Sequence, residues 1–154
     1  MKLIEKYTDK SYIEFRDRRS KVVLEDKKGG RVSYQGINKE EKELIAYRID
    51  GGIMKDGTGL KCDYGLYTVS SDVLRLIELK GSDLGKAIKQ IKHTLRYLLG
   101  DSILGVNVIH GRMVLSKART PDLYSSEEKE LIKILKQHNG NLLKATRVLK
   151  EGID

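Results

Sequence analysis

Asp63 and the triplet Glu78-Leu79-Lys80 are the residues whose types and spacing can do chemistry. The triplet follows a strongly apolar run, Val73-Leu74-Arg75-Leu76-Ile77, where charged side chains are rarely buried without partners. Side chains two positions apart on a strand leave the same face, so Glu78 and Lys80 are expected to project together. If 62–69 and 73–80 form a hairpin about Ser70-Ser71-Asp72, the register brings Asp63 across to residues near Lys80. Two carboxylates at one corner repel and call for a cation. Magnesium suits them because it takes a few carboxylate oxygens and keeps several waters, and manganese can stand in for it. Such an ion polarises a phosphoryl oxygen and lowers the pKa of a bound water. A lysine beside it stabilises developing charge or orients that water. The plainer reading of Glu78 and Lys80 is a structural ion pair.

The elements that must position these residues follow from periodicity and turn chemistry. Lys21–Glu25 and Arg31–Gln35 flank a Lys-Lys-Gly-Gly turn and predict a hairpin. Leu44–Ile49 predicts a strand ending at Asp50-Gly51-Gly52, and 62–69 and 73–80 predict two more, joined as an antiparallel meander. A helix follows over 83–99, capped by Ser82 or Asp83 and stopped at Gly100, with Leu84, Ala87, Ile88, Ile91, Leu95 and Leu98 on one side. Ser102 to Ile109 reads as a buried strand, and Met113-Val114-Leu115 as a further edge strand. Beyond Pro121, Ser125-Ser126-Glu127-Glu128 is a helix-capping pattern. The leucines that follow predict two helices split at Asn139-Gly140-Asn141. That pair is expected to be a C-terminal hairpin capping the core or making a dimer contact. The expected organisation is a core over 1–120 with an N-terminal β-rich extension, and a helical appendage over 121–154, in one structural domain.

The order of an acid on one strand, an ExK triplet on the next, then a helix and another strand resembles the PD-(D/E)XK nuclease superfamily. The resemblance covers roughly Leu44 to Ile109. It implies a restriction-endonuclease-like α/β fold of αβββαβ type around a mixed central sheet. Carried over by position, it implies that Asp63 and Glu78 hold the metal, that Lys80 is the catalytic lysine, and that Gln90 is a functional helical glutamine. It further implies a magnesium-dependent endonuclease acting on DNA or RNA, with the small dimeric junction resolvases of the superfamily as an analogy for a homodimer. Cys62 stands before Asp63 where the superfamily motif has proline. The superfamily's first, helical carboxylate has Glu5, Glu14 and Asp50 as competing candidates, and Asp50-Gly51 equally reads as a turn former.

The charge balance agrees with a polyanionic partner. Among 154 residues, 30 basic side chains oppose 22 acidic ones, for a formal charge of +8. Lys86, Lys89, Lys92 and Arg96 form a stripe on the predicted helix, uninterrupted by acids between 85 and 99. They are candidates for phosphate-backbone contact, against the alternative of a solvated face. Arg16, Arg18, Arg19 and Lys21 make a second basic cluster. No apolar run approaches the roughly 20 residues that span a bilayer, and the N-terminus does not read as a signal peptide. Cys62 is the single cysteine, which excludes an intramolecular disulfide and a Cys-rich zinc site. A cytoplasmic protein with no membrane association is expected. Competing with the nuclease reading are a non-catalytic nucleic-acid-binding module and a protein-interaction domain.

Overall fold

Alternation of apolar and polar side chains builds the first hairpin. In β2 (Lys21–Glu25), Val22 and Leu24 turn inward while Lys21, Val23 and Glu25 face solvent. Its partner β3 (Ser33–Ile37) runs antiparallel, pairing Leu24 with Tyr34. The computed structural model describes residues 2–26, 31–55, 59–79, 84–100, 105–117 and 126–154. A short helix α1 (Leu3–Lys6) and a 3-10 turn at Lys10–Tyr12 precede β1 (Ile13–Asp17).

The main sheet contains β1, β4 (Leu44–Arg48), β5 (Tyr64–Thr68), β6 (Val73–Leu79), β7 (Val108–Leu115) and β8 (Leu142–Thr146), in the spatial order β1-β4-β5-β6-β7-β8. The meander β4-β5-β6 is antiparallel, and β7 lies parallel to β6 after a crossover through α2 (Leu84–Gly100). Parallel neighbours need such a crossover. The smaller sheet has the order β2-β3-β9, with β9 (Val148–Gly152) parallel to β3.

Three layers result. Ala87, Ile88, Ile91 and Leu95 of α2, with Leu131 and Leu135 of α3 (Ser126–Gln137), pack on Leu74, Leu76 and Met113 of one sheet face. On the other face Ile77, Leu79 and Val114 meet Val22, Leu24, Tyr34 and Leu149 of the small sheet. Covered on both sides and flanked by β5 and β7, β6 is buried along its whole length. This is an α+β architecture with a mixed sheet. Among the described residues no helix is long and apolar enough to cross a membrane.

Two sequence expectations are corrected here. Of the strand expected over 102–109, residues 102–104 lie outside the described residues; β7 begins at Val108 and runs continuously through Gly111 to Leu115, so Met113-Val114-Leu115 belongs to it and is no separate edge strand. The expected C-terminal helical hairpin has only its first helix, α3. After Asn139, in the left-handed conformation at φ 60°, the chain becomes β8 on the main sheet. Arg147, at φ 67°, then turns it into β9 on the small sheet. The apolar positions 142, 143, 145, 148 and 149 fit a helical stripe, but pairing with β7 and β3 supplies backbone partners that a local pattern cannot reveal. Leu142–Thr146 and Val148–Gly152 are thus woven into the two sheets instead of forming a helical appendage.

Candidate active site

Asp63 immediately precedes β5, and Glu78 stands next to last in β6, at the same end of the sheet. The ladder pairs Tyr64 with Ile77, yet the Asp63 N–H also donates to the Ile77 carbonyl at 3.1 Å. Two successive residues therefore face one, the signature of a β-bulge. The bulge breaks the side-chain alternation. Cys62 enters the core beneath α2 while Tyr64 enters the core between the sheets. Between them, Asp63 stays half-buried and its Oδ2 accepts from the Leu79 N–H at 2.7 Å. The register thus sets Asp63 beside Glu78 and Leu79, a little short of the Lys80 pairing expected from symmetry about the turn.

Glu78 shares the helix-facing side of β6 with Leu74 and Leu76 and is only 1% exposed. A buried carboxylate needs hydrogen bonds. Gln90, nearly two turns into α2 and 4% exposed, answers with its amide nitrogen, which donates to Glu78 Oε1 at 3.0 Å and also contacts Oε2. The amide orientation follows from the hydrogen-bonding partners. Thr94, one turn further on, ties the helix to the strands. Its Oγ accepts from the Cys62 N–H at 2.9 Å and donates to the Gln90 carbonyl at 2.8 Å. Sequence reasoning passed over Thr94, because a threonine on an apolar helix face carries no signal of an inter-element bond. Burial, and then the nearby Glu78 charge, push the Cys62 thiol well above its usual pKa, so it is a packing residue and no nucleophile.

Gly59, in the 51–61 loop, sits against the same helix. A Cβ on Gly59, whose φ is +93°, would meet the His93 ring at 3.4 Å. Asp50 serves this loop. Its residue bridges Met54 and its carboxylate lies 3.7 Å from Lys61 Nζ, in keeping with the turn reading. Glu5 accepts from the Lys2 N–H at 3.1 Å in the first turn of α1, and Glu14 is engaged by Arg48 at 2.5 Å. All three candidates for a further carboxylate thus hold local partners. Lys80 lies outside the described residues, as do the expected caps Ser82 and Asp83. Among the described residues, no group of three or more His, Cys, Asp and Glu side chains is arranged to hold a metal ion.

The basic stripe divides. Lys86 and Lys89 are exposed, but Lys92 is buried, with its Nζ 2.8 Å from Glu130 on α3, and Arg96 reaches the same carboxylate at 3.2 Å. The uninterrupted run of cations on α2 is balanced by an acid from another helix. Lys92 and Arg96 thus also serve a helix–helix contact, although the Arg96 side chain remains 62% exposed.

No family model, curated protein or solved structure matches this chain.

Proposed function

We propose that the chain is a metal-dependent endonuclease of the PD-(D/E)XK type, hydrolysing phosphodiester bonds in DNA or RNA. The observation that carries this reading is the convergence of Asp63 and Glu78 at one end of adjacent strands, with Gln90 on the buried carboxylate. Support also comes from the path β4-β5-β6-α2-β7, a three-stranded meander followed by a helical crossover to a parallel strand. That is the order expected of the superfamily core.

The donor set suits a hard cation, since both groups are carboxylates and the one nearby thiol is held protonated by burial. Asp63 and Glu78 would hold magnesium or manganese, which would supply polarisation of a phosphoryl oxygen and an acidified water. The protein's own part is positioning. The Leu79 amide fixes Asp63, the Gln90 amide fixes Glu78, and Thr94 keeps the helix turn that carries Gln90 in step with the strand that carries Asp63. Lys80 would stabilise charge developing on the phosphate.

The experiment is cleavage of DNA and RNA panels, single-stranded, duplex and branched, with Mg²⁺ or Mn²⁺, comparing wild type with Asp63→Asn, Glu78→Gln and Lys80→Ala. Losses of about 100-fold or more in all three variants are expected, the order seen when a group acting at the reacting centre is removed. Undiminished turnover in Glu78→Gln would refute the assignment. The near-complete burial of Glu78 favours one second reading, a non-catalytic nucleic-acid-binding module on the same scaffold. It predicts salt-sensitive binding that survives Glu78→Gln, with no turnover under any metal condition.

A further inference from the structure

At the sheet end that carries Asp63 and Glu78, but on the opposite face, a groove of about 490 Å³ opens between β1, β2 and β5. Its volume falls within the roughly 300–1,000 Å³ usual for small-ligand sites. The location follows from register. Tyr64 adjoins Asp63 in the chain, Arg48 pairs with Tyr64 across the ladder, and Glu14 reaches Arg48 from β1. Glu14 and Tyr64 line the groove together with Phe15, Arg19 and Glu25.

Arg19 is held flat. Its Nε donates to both Asp17 carboxylate oxygens, at 2.9 and 3.1 Å, and its Nη2 donates to Oδ2 at 2.7 Å. The guanidinium centre stands 3.7 Å from the centroid of the Phe15 ring. One face of the guanidinium is thus stacked and one edge is fixed, in a side chain that is still 42% exposed. A planar cation immobilised on an aromatic ring is a stacking platform for a nucleobase, and arginine planes serve in this way in single-strand recognition. The rest of the lining agrees. Glu14 and Glu25 are acceptors, which repel a phosphate but can take hydrogen bonds from the amino groups at a base edge.

We propose that this groove receives an unpaired nucleobase from a nucleic-acid strand whose backbone passes the Asp63–Glu78 corner. The preferred substrate is then single-stranded, or contains an unpaired stretch at a branch or bulge. A continuous duplex cannot offer a base to the groove without unstacking it. This deepens the nuclease reading by naming the substrate class, and it rests on that reading for the role of the corner.

The test uses an oligonucleotide carrying 2-aminopurine, whose fluorescence is quenched by stacking, bound to the full chain with Glu78→Gln so that cutting does not intervene. Arg19→Lys keeps the charge and removes the plane. Phe15→Leu removes the ring beneath it. Quenching on single strands is expected without either substitution and lost with both. Single-strand affinity should fall about tenfold, as for removal of one base stack, with duplex affinity and the salt slope unchanged. Retention of quenching and affinity in Arg19→Lys overturns the proposal, and so does an absence of nucleic-acid binding. Cleavage by the wild-type chain is scored separately. Quenching without cleavage removes the nuclease reading and leaves the base groove, whereas cleavage without quenching does the reverse.

Discussion

Glu151 is the carboxylate on which the packing of the two sheets should depend most. It projects from β9, and its Oε2 accepts from Arg112 Nε at 2.8 Å and from the Tyr34 hydroxyl at 2.8 Å, while lying 3.5 Å from Arg75 Nε. Arg75 and Arg112 side chains are only 2% and 3% exposed. Arg112 also donates to the Gly111 and Asn141 carbonyls, whereas Nε and Nη1 of Arg75 have no hydrogen bond. Replacing Glu151 by Leu would strand two buried guanidinium groups without a counter-charge. Breaking a buried pair in this way costs about 3–5 kcal/mol, a large share of the roughly 5–15 kcal/mol that holds a domain folded. The converse substitution, Arg75→Met, removes a charge that is poorly satisfied. It should leave stability within about 1 kcal/mol of wild type or raise it, as replacing a buried ion by an apolar isostere often does. Urea denaturation followed by far-UV circular dichroism measures both. The pH dependence has a definite sign. Burial alone would raise the Glu151 pKa, but the Arg112 hydrogen bond and charge, with Tyr34 and Arg75, overcome it and hold the pKa below its usual 4.5. The unfolded chain therefore binds this proton first as pH falls. The stabilisation is complete above about pH 4.5 and is lost as pH drops through the lower folded value. Glu151→Gln should flatten that acid limb. A Glu151→Leu protein within 1 kcal/mol of wild type at neutral pH would refute the reasoning.

Three other outcomes are expected. Thr94→Val should lose about 1–3 kcal/mol in urea unfolding, because it leaves the buried Cys62 amide without an acceptor. Thr94→Ser, which keeps the hydroxyl, should lose less. His110 accepts from the Asn141 N–H through Nδ1 at 3.0 Å, and burial, then Arg112 and Arg75, push its pKa down to about 4. Because the unfolded imidazole binds protons at higher pH, stability should rise between about pH 4 and 6.5, and unfolding curves of His110→Asn at pH 4.5, 5.5 and 7 should show a smaller rise. At Gly140 an added Cβ would run into the Ile109 carbonyl, so Gly140→Ala should destabilise by about 1–3 kcal/mol, as overpacking does, read as a lowered urea midpoint.

Local pattern was enough to place much of this molecule. The β2–β3 hairpin announces itself by alternation on either side of a Gly-Gly pair in the sequence, and α2 by its apolar stripe and the glycine that ends it. The acid in the apolar run at Glu78 is a contradiction between residue type and environment, and the structure answers it with Gln90 on the buried side of α2. Such signals are legible because period and turn chemistry are properties of neighbouring residues. The partners that complete the corner come from afar and leave no mark in a short window. Thr94 bonds an amide 32 residues away, and Glu130 claims Lys92 and Arg96 from another helix.

The amino-acid order by itself determined that Asp63 and Glu78 stand near the facing ends of two adjacent strands, because a short polar turn allows little else. Tertiary structure alone decided how they face. A bulge at Asp63 turns Cys62 under α2 and leaves the Asp63 carboxylate on the Leu79 amide. It also decided that Leu142–Gly152 forms two strands of different sheets and no second helix. The leucines there suit either state, and the free edges of β7 and β3, each far away in sequence, select the one in which the backbone is paired.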